Sequence, residues 1–217
     1  MSSQSKVIII TIIVSVGLLF GLARFGGSTK TTSISTPANT ALLELKPGDW
    51  IKGNPEAKVS LVEYLDFECE ACRAFFPFVK QLQTEFPQDL RVITRYFPLP
   101  GHKNSFAAAL AVEAAGQQGK YWEMHDMLFE KQDEWGNKQS ADPTLFVKYA
   151  EAVGLDMVKF KADTESSVTA ERVRRDQVSG NQLGANATPT FFLNGKKVEG
   201  VRSYDQFKSL VEAEITK

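Results

Sequence analysis

The chain has 217 residues, 43% of them hydrophobic, and its 15 phenylalanines and 3 tryptophans are enough to fill one sizeable core. Its formal net charge is -1 at pH 7. A balance this close to neutral argues against nucleic acid as a partner and against a membrane surface held by electrostatic attraction.

An uncharged apolar stretch occupies residues 7–23, between Lys6 and Arg24. As a helix it would extend about 25 Å, and the two flanking cations can snorkel across the remainder of a hydrocarbon core of about 30 Å. We therefore predict a single transmembrane anchor at 7–23, preceded by a short cytoplasmic N-terminus at 1–6. The alternative is a cleaved signal peptide. It is disfavoured because the stretch exceeds the usual apolar region of roughly 7–15 residues and no A-x-A-like site follows.

Residues 24–45 are predicted to form a flexible linker. The segment 26–40 is rich in glycine, serine and threonine and carries no periodic apolar pattern. A coil of about 15 such residues has dimensions on the order of 20 Å. The globular domain, predicted at 46–217, would therefore stay close to the membrane face.

The only two cysteines of the chain, Cys69 and Cys72, lie where a strand is predicted to turn into a helix. Residues 59–67 before them are mostly apolar and of strand type, and apolar residues recur at helical spacing after them. The first sulfur should therefore lie at a helix N-terminus, where free backbone N–H groups and the helix dipole favour a thiolate. The second sulfur can close a disulfide with it, which is the spacing of two-electron redox proteins.

Two other roles for this cysteine pair are less favourable. Half of a zinc site would need two further ligands, and the chain offers only His102 and His125, far from a metal-ligand spacing. Both histidines are expected to cap or decorate helices. A static disulfide would close so small a loop that it would stabilise little. The sequence thus indicates no metal and implies no cofactor.

Further strands are predicted at 91–97, 190–193 and 196–201, the last two joined by Asn194-Gly195, a strong hairpin signal. A terminal helix follows, with Ser203 as its N-cap. Between the second and third strands the pattern is helical, over 106–115, 121–129, Pro143 to Gly154, and 167–183. This order predicts an α/β fold with a helical insertion at about 102–183.

Four features of residues 46–217 occur together. The first is the sequence FECEAC at 67–72, directly after a strand. The second is Glu63, six residues before the first cysteine. The third is the sequence GANATPTFFLNG at 184–195, and the fourth is the 117-residue separation between the second cysteine and Pro189. In this combination the chain resembles the DsbA-type thiol:disulfide oxidoreductases, which are thioredoxin folds with an inserted α-helical domain.

The resemblance implies a role for each site residue. Cys69 would be the attacking thiolate, and Cys72 would resolve the mixed disulfide. Glu63 would be the buried acid beneath the redox pair, relaying a proton to or from Cys72; the alternative is an outward-facing residue on a half-exposed strand. Thr188 and Pro189 would be joined by a cis peptide bond, which would expose the Thr188 backbone to pair with an extended substrate peptide.

Three acidic residues lie within or next to this motif. Asp66, Glu68 and Glu70 should oppose a thiolate at Cys69, whereas Arg73, four residues further along the helix, should favour it. The direction of redox flow is therefore open at this stage.

The sequence predicts a membrane-anchored thiol:disulfide oxidoreductase whose catalytic domain lies on the extracytoplasmic side, because disulfides persist outside the cytoplasm. The favoured role is an oxidase that introduces disulfide bonds into unfolded or newly exported cysteine-containing proteins. The resemblance implies that a membrane quinone-linked partner reoxidises it. The alternatives are a membrane-tethered reductase or isomerase and, from another class, a non-catalytic peptide-binding or chaperone module.

Overall fold

The computed structural model describes residues 33–35, 39–139 and 143–217. The predicted cytoplasmic N-terminus at 1–6 and the predicted anchor at 7–23 lie outside the described residues. Among the residues that are described, no helix is both long enough and apolar enough to cross a membrane.

A six-stranded sheet in the order β1–β6–β5–β3–β4–β2 forms the centre of the domain. Only β3 and β4 run parallel to each other, and the other neighbours pair antiparallel. The strands are β1 (Ser33–Ser35), β2 (Trp50–Gly53), β3 (Val59–Leu65), β4 (Leu90–Tyr96), β5 (Thr190–Leu193) and β6 (Lys196–Glu199).

Eight α-helices are present in the described residues, one between β3 and β4, six between β4 and β5, and one after β6. They are α1 (Glu70–Glu85), α2 (Ser105–Gly116), α3 (Tyr121–Glu130), α4 (Gln132–Trp135), α5 (Pro143–Ala152), α6 (Met157–Thr164), α7 (Ser167–Gln182) and α8 (Tyr204–Ile215). The thioredoxin-like layout with a helical insertion is therefore present, and the insertion runs from α2 to α7.

The predicted strands and helices are formed, and their ends differ from the prediction by at most two residues. Within the predicted globular domain three elements were not predicted: β2, the four-residue helix α4, and α6. The first two are too short for a periodic pattern to be recognised. The predicted linker 24–45 also contains two elements, β1, which pairs with β6, and a 3₁₀ helix at Thr40–Leu43. Leu43 is buried, so the compact domain begins earlier in the chain than predicted.

The central strand β3 is buried on both faces, which explains why its sequence is almost continuously apolar. One face carries Val59 and Leu61, which pack with α1 and α8. The opposite face carries Val62 and Tyr64, which pack with residues around the end of α7. Glu63 lies on the first of these faces, in the same row as the leucine and valine that precede it.

The helical insertion shares its core with the cysteine motif. Leu65, Phe67 and both cysteines belong to the same cluster of buried side chains as the alanine-rich helix α2 and the aromatic residues of α3. Phe67 contacts Phe129 of α3 with ring centroids 5.1 Å apart. The end of β3 is therefore packed against the insertion.

A buried group of charged side chains ties the segment before β2 to β4 and α7. The guanidinium of Arg95 is 2.8 Å from the carboxylate of Asp49, and Arg172 pairs with both Asp49 and Asp176. Because an unpaired buried charge costs several kcal/mol, these residues are tolerated only as a set.

Gly180 of α7 allows close packing against two aromatic rings. A Cβ atom at this position would lie 2.6 Å from Phe97 and 2.9 Å from Tyr64, both in the core. We expect Gly180→Ala to destabilise the domain by roughly 1–3 kcal/mol, despite the better helix propensity of alanine. Urea unfolding would measure the change. Gly101→Ala is the control, because nothing lies within 4 Å of its Cβ position; equal stabilities of the two variants would contradict this packing.

Candidate redox site

The cysteine motif lies where β3 ends and α1 begins. Cys69 is the N-cap residue of α1, and its carbonyl accepts the N–H of Arg73 at 3.1 Å. Cys72 lies in the first turn. Both cysteines are free thiols, and their exposed fractions differ, 8% for Cys69 against 0% for Cys72. The more N-terminal sulfur is therefore the one that a substrate can reach.

The pKa of Cys69 is lowered to about 5. The main cause is a hydrogen bond with the side chain of Cys72, and burial acts in the opposite direction. The backbone N–H groups of Cys72 and Ala71, which point out of the start of α1, lower the pKa further. At neutral pH Cys69 is therefore a thiolate.

The pKa of Cys72 is raised well above its usual value. Burial is the main cause, followed by the hydrogen bond to Cys69 and by the negative charges of Cys69 and Glu63. The Asp66 N–H, 3.5 Å from its sulfur, acts in the other direction without overcoming these effects. The reduced pair thus holds one thiolate and one thiol, with the proton on the buried sulfur.

Asp66 and Glu68 were expected to oppose a thiolate at Cys69, but neither is among the groups that shift its pKa. Both are buried and fully engaged with donors. Asp66 accepts the N–H of Glu68 at 2.8 Å and of Leu99 at 2.9 Å, and its Oδ2 is 2.7 Å from Nδ1 of His102. His102 thus contacts the redox loop rather than capping a helix.

Glu68 is held by the start of the insertion. Its carboxylate accepts the backbone N–H of Asn104 at 2.7 Å, the side-chain amide of Asn104 at 3.0 Å and the N–H of Asn137 at 3.0 Å. Glu70 is exposed and accepts the side-chain amide of Asn137. Because these acids have their own hydrogen-bond donors, they act as structural links between the motif and the insertion.

Arg73 also differs from its predicted role. Its guanidinium forms a bidentate ion pair with Asp133 of α4, with Nη2 to Oδ2 at 2.6 Å. It is not among the groups that lower the pKa of Cys69. Arg73 therefore joins α1 to the insertion across an exposed surface.

Glu63 is buried, with an exposed fraction of 4%, so the outward-facing alternative is wrong. In the sheet it is paired with Thr94 of β4 on one side and Phe191 of β5 on the other. Burial raises its pKa to about 8, and its charge is one of the causes that raise the pKa of Cys72. A titratable carboxyl group therefore lies within electrostatic reach of the buried sulfur.

Thr188 and Pro189 lie against the redox pair. Their peptide bond is cis, as the sequence resemblance implied. Sγ of Cys69 lies 3.3 Å from the carbonyl oxygen of Thr188, and β5 begins at Thr190, directly after the proline. The structure thus brings together all five residues that the sequence selected, from three separate parts of the chain.

Gln132 was not predicted. Its side-chain amide, on α4, donates to the carbonyls of Phe67 at 2.7 Å and Cys69 at 3.1 Å. It therefore fixes the backbone on both sides of the turn into α1. No local pattern could have identified it, because α4 has only four residues and lies more than 60 residues away.

An open cleft of about 540 Å³ lies between α1 and α4. It is lined by Glu70, Arg73, Ala74, Gln132, Asp133, Gly136 and Asn137. Among the described residues, no group of three or more His, Cys, Asp or Glu side chains is arranged to hold a metal ion.

A family model described as thioredoxin matches residues 45–213, which is most of the chain. The protein belongs to the thioredoxin family. In this thioredoxin-family chain the cysteine pair lies at the start of α1 with the Thr188–Pro189 loop against it, which is an arrangement suited to thiol–disulfide exchange.

Solved structures support the same assignment. A thioredoxin-like oxidoreductase from Silicibacter pomeroyi DSS-3 is 29% identical, with a TM-score of 0.68 over 83% of this chain and 98% of that one. BdbD from Bacillus subtilis is 25% identical, with a TM-score of 0.71 over 87% and 100% of the two chains. Alpha-DsbA1 of Wolbachia pipientis, at 24% identity and a TM-score of 0.72 over 82% and 96%, shares the fold.

Curated relatives include much longer proteins. The Na(+)/H(+) antiporter NhaA 1 of Mycobacterium sp. (strain KMS) is 38% identical over 179 residues, which cover 78% of this chain and 28% of the antiporter. The Na(+)/H(+) antiporter NhaA of Herminiimonas arsenicoxydans is 40% identical over 157 residues, or 72% and 24%. The chain thus spans about a quarter of the length of the curated relatives that it matches.

The hydrogen bond between the two sulfurs predicts how Cys72 variants behave. Cys72→Ala removes the donor, so the pKa of Cys69 should rise from about 5 by at least one unit. Cys72→Ser keeps an O–H donor and should raise it less. The pH dependence of alkylation of Cys69 by iodoacetamide would measure both midpoints. An unchanged midpoint in Cys72→Ala would show that the helix N-terminus alone holds the thiolate.

The burial of Glu63 predicts a pH-dependent stability. Its pKa is about 8 when folded and near 4.5 when unfolded, so the folded state prefers the neutral acid. The stabilisation from this preference is complete below pH 4.5 and is lost as the pH rises toward 8. Glu63→Gln does not titrate. Relative to wild type it should therefore gain stability between pH 4.5 and 8, by up to a few kcal/mol at about 1.4 kcal/mol per pKa unit.

Urea unfolding of the reduced proteins at pH 5 and pH 8 would test this. The control is Glu70→Gln, because Glu70 is exposed and its substitution should give the same difference from wild type at both pH values. A Glu63→Gln difference that is equal at pH 5 and pH 8 would contradict a raised pKa.

Proposed function

We propose that the protein is an oxidase that donates the Cys69–Cys72 disulfide to exported proteins containing reduced cysteines. The observation that carries this proposal is the division of charge in the reduced pair. The pKa of Cys69 is lowered to about 5, whereas that of Cys72 is raised. Any interaction that stabilises the reduced form makes the couple more oxidising, because the disulfide has no thiolate to stabilise.

The lowered pKa of Cys69 can be compared with the pKa of the corresponding cysteine in two members of the superfamily. The corresponding nucleophile has a pKa of about 7 in thioredoxin and about 3.5 in DsbA. A value of about 5 lies between them. A thiol with a low pKa also leaves faster, which favours transfer of the disulfide away from Cys69.

The first step of the proposed reaction is attack of a substrate thiolate on Sγ of Cys69. Cys69 is attacked because its partner sulfur is inaccessible. The Cys69–Cys72 bond breaks, a substrate–Cys69 disulfide forms, and Cys72 leaves with the electron pair. Cys72 then takes a proton, which Glu63 supplies from its neutral carboxyl form.

In the second step another substrate thiolate attacks the substrate sulfur of the mixed disulfide. The substrate disulfide forms and Cys69 leaves as a thiolate, stabilised by Cys72 and by the start of α1. Two electrons remain on the protein. The substrate peptide would lie extended beside Thr188, whose carbonyl is 3.3 Å from the reacting sulfur.

We propose that a membrane quinone-linked partner accepts the two electrons, and that residues 7–23 anchor the protein with its redox domain on the extracytoplasmic side. The uncharged stretch 7–23 supports the anchor. The persistence of disulfides outside the cytoplasm supports the orientation.

The main alternative is a reductase or isomerase. It is favoured by the same Glu63, because a carboxylate beneath Cys72 can remove its proton and let it attack a mixed disulfide. The two proposals differ in the direction of net electron flow and therefore in reduction potential.

Equilibration of the Cys69–Cys72 pair with glutathione would separate these roles. We expect a potential more positive than about -200 mV, on the oxidising side of typical glutaredoxins. Cys72→Ser cannot form the internal disulfide and serves as the control for mixed disulfides with glutathione. A more negative potential would support the reductase and contradict the oxidase.

A further inference from the structure

Asp66 follows the last residue of β3, and its backbone contacts both cysteines. Its carbonyl accepts the N–H of Cys69 at 3.1 Å, and its own N–H donates to Sγ of Cys72 at 3.5 Å. The first of these bonds closes the four-residue turn that leads into α1. The second supplies a backbone donor to a sulfur that is fully buried.

The strength of the second bond depends on the charge of the sulfur. A neutral sulfur is a weak acceptor, whereas a hydrogen bond to an ionised group is roughly twice as strong as one between neutral groups. The Asp66 N–H accordingly lowers the pKa of Cys72, whereas burial, Cys69 and Glu63 raise it. The N–H therefore stabilises Cys72 most while that sulfur carries a negative charge.

Cys72 carries this charge in the first step of the proposed reaction. A substrate thiolate attacks Sγ of Cys69, and a bond forms between these two sulfurs. The Cys69–Cys72 bond breaks, and its electron pair stays on Cys72. The rate of such an exchange depends on the pKa of the leaving thiol. A donor that acts mainly on the charged sulfur stabilises the transition state more than the starting disulfide, and it therefore accelerates the step.

The side chain of Asp66 fixes the direction of this N–H. Its carboxylate is fully buried, and it accepts the N–H of Glu68 at 2.8 Å and the N–H of Leu99 at 2.9 Å. The bond from Glu68 joins the side chain to the backbone two residues further on, within the same turn. The bond from Leu99 joins it to the loop between β4 and α2.

His102 contributes the third contact of this carboxylate, and the only one from a side chain. Its Nδ1 is 2.7 Å from Oδ2 of Asp66. The loop that carries the imidazole is closed by a hydrogen bond from the His102 N–H to the carbonyl of Leu99 at 3.0 Å. Substitution of His102 can therefore remove one contact of the carboxylate without removing a backbone donor.

Loss of the imidazole would leave a buried carboxylate with one partner fewer. Such a group recovers a donor by moving toward water or by admitting a water molecule, because an unsatisfied buried charge is costly. The side chain and the backbone N–H of Asp66 belong to the same residue. A displacement of the carboxylate would therefore turn the N–H away from Cys72.

We propose that the backbone N–H of Asp66 stabilises the Cys72 thiolate as it leaves, and that His102 is the positioning residue that holds this N–H in place. The inference rests on the proposed first step, in which Cys72 is the leaving sulfur. In the reverse step the same thiolate is the attacking group. Loss of the N–H should therefore slow both directions and leave the reduction potential unchanged.

The test compares two cleavage reactions that differ in the leaving sulfur. In the first, dithiothreitol reduces the Cys69–Cys72 disulfide of the full chain, and Cys72 leaves. In the second, dithiothreitol removes glutathione from Cys69 in a Cys72→Ser background, and Cys69 leaves. Acid quenching and mass spectrometry would give the rate of each reaction at pH 7.

His102→Leu removes the imidazole contact. We expect this variant to slow the first reaction at least about threefold and to leave the second unchanged, because only the first depends on the pKa of Cys72. His102→Asn keeps an N–H donor close to the position of Nδ1, and it should restore most of the rate.

The matched control is Lys103→Met, at the next position of the same loop. The ammonium group of Lys103 donates to the side chain of Gln139 and not to the redox turn. Both reactions should therefore keep their wild-type rates in this variant.

Asp66→Asn breaks the same contact from the other side, because an amide nitrogen cannot accept the donors that Oδ2 accepts. It should also slow the first reaction and spare the second. Urea unfolding would show which variants are folded, and Asp66→Asn decides the question if His102→Leu is not. Equal slowing of both reactions would show a general distortion of the site and overturn the proposal. A first reaction at the wild-type rate would overturn it as well.

Equilibration with glutathione separates this inference from the oxidase proposal. We expect the potential of His102→Leu to equal that of wild type. A changed potential would show that His102 acts on the stable forms of the pair, and it would overturn the proposal. If the wild-type potential lies on the reducing side while the selective loss of rate is seen, the oxidase is wrong and this inference is supported.

Discussion

The hydrogen bond between Cys72 and Cys69 determines the chemistry of this site, because it divides one proton unequally between two identical groups. It depends on the turn from β3 into α1, which leaves one sulfur at the helix N-terminus and buries the other. Each sulfur then acts on the other, since the thiol donates to the thiolate and the thiolate holds the proton on the thiol. The sheet, the helix end and the buried acid all serve to maintain this difference.

The helical insertion maintains the geometry of that turn. Gln132 holds the two carbonyls around it, and Asn104 and Asn137 hold Glu68 just before the first cysteine. Arg73 adds a fourth link, to Asp133. A motif at the end of a strand would otherwise be a surface loop, and loops are more mobile than the elements that they connect. The insertion therefore fixes the start of α1, and with it the N–H groups that lower the pKa of Cys69.

Most of the fold and the centre of the site could be predicted because their signals are local. The strand before Cys69, the hairpin at Asn194 and the capping of α8 by Ser203 are each encoded within a few residues. The burial of Glu63 was expected from its apolar strand together with the family resemblance. Most partners of Asp66 and Glu68 could not be predicted, because donors such as Leu99 and Asn104 lie more than 30 residues away in loops without a periodic pattern. The effect of these two acids on the Cys69 thiolate was therefore overestimated from the sequence alone.

Three acids near the redox pair show that surroundings, and not residue type, determine what a carboxyl group does. Asp66 and Glu68 each accept several hydrogen bonds and serve as structural anchors. Glu63 is also buried, but burial is the cause of its raised pKa, and it lines a cavity with room for one water molecule. Its proton is held by desolvation alone, so a nearby thiolate can remove it at little cost. Because no hydrogen-bond donor in the described part of the chain holds its carboxyl group, Glu63 cannot link elements of the fold as Asp66 and Glu68 do. The same absence of donors leaves its proton available for exchange.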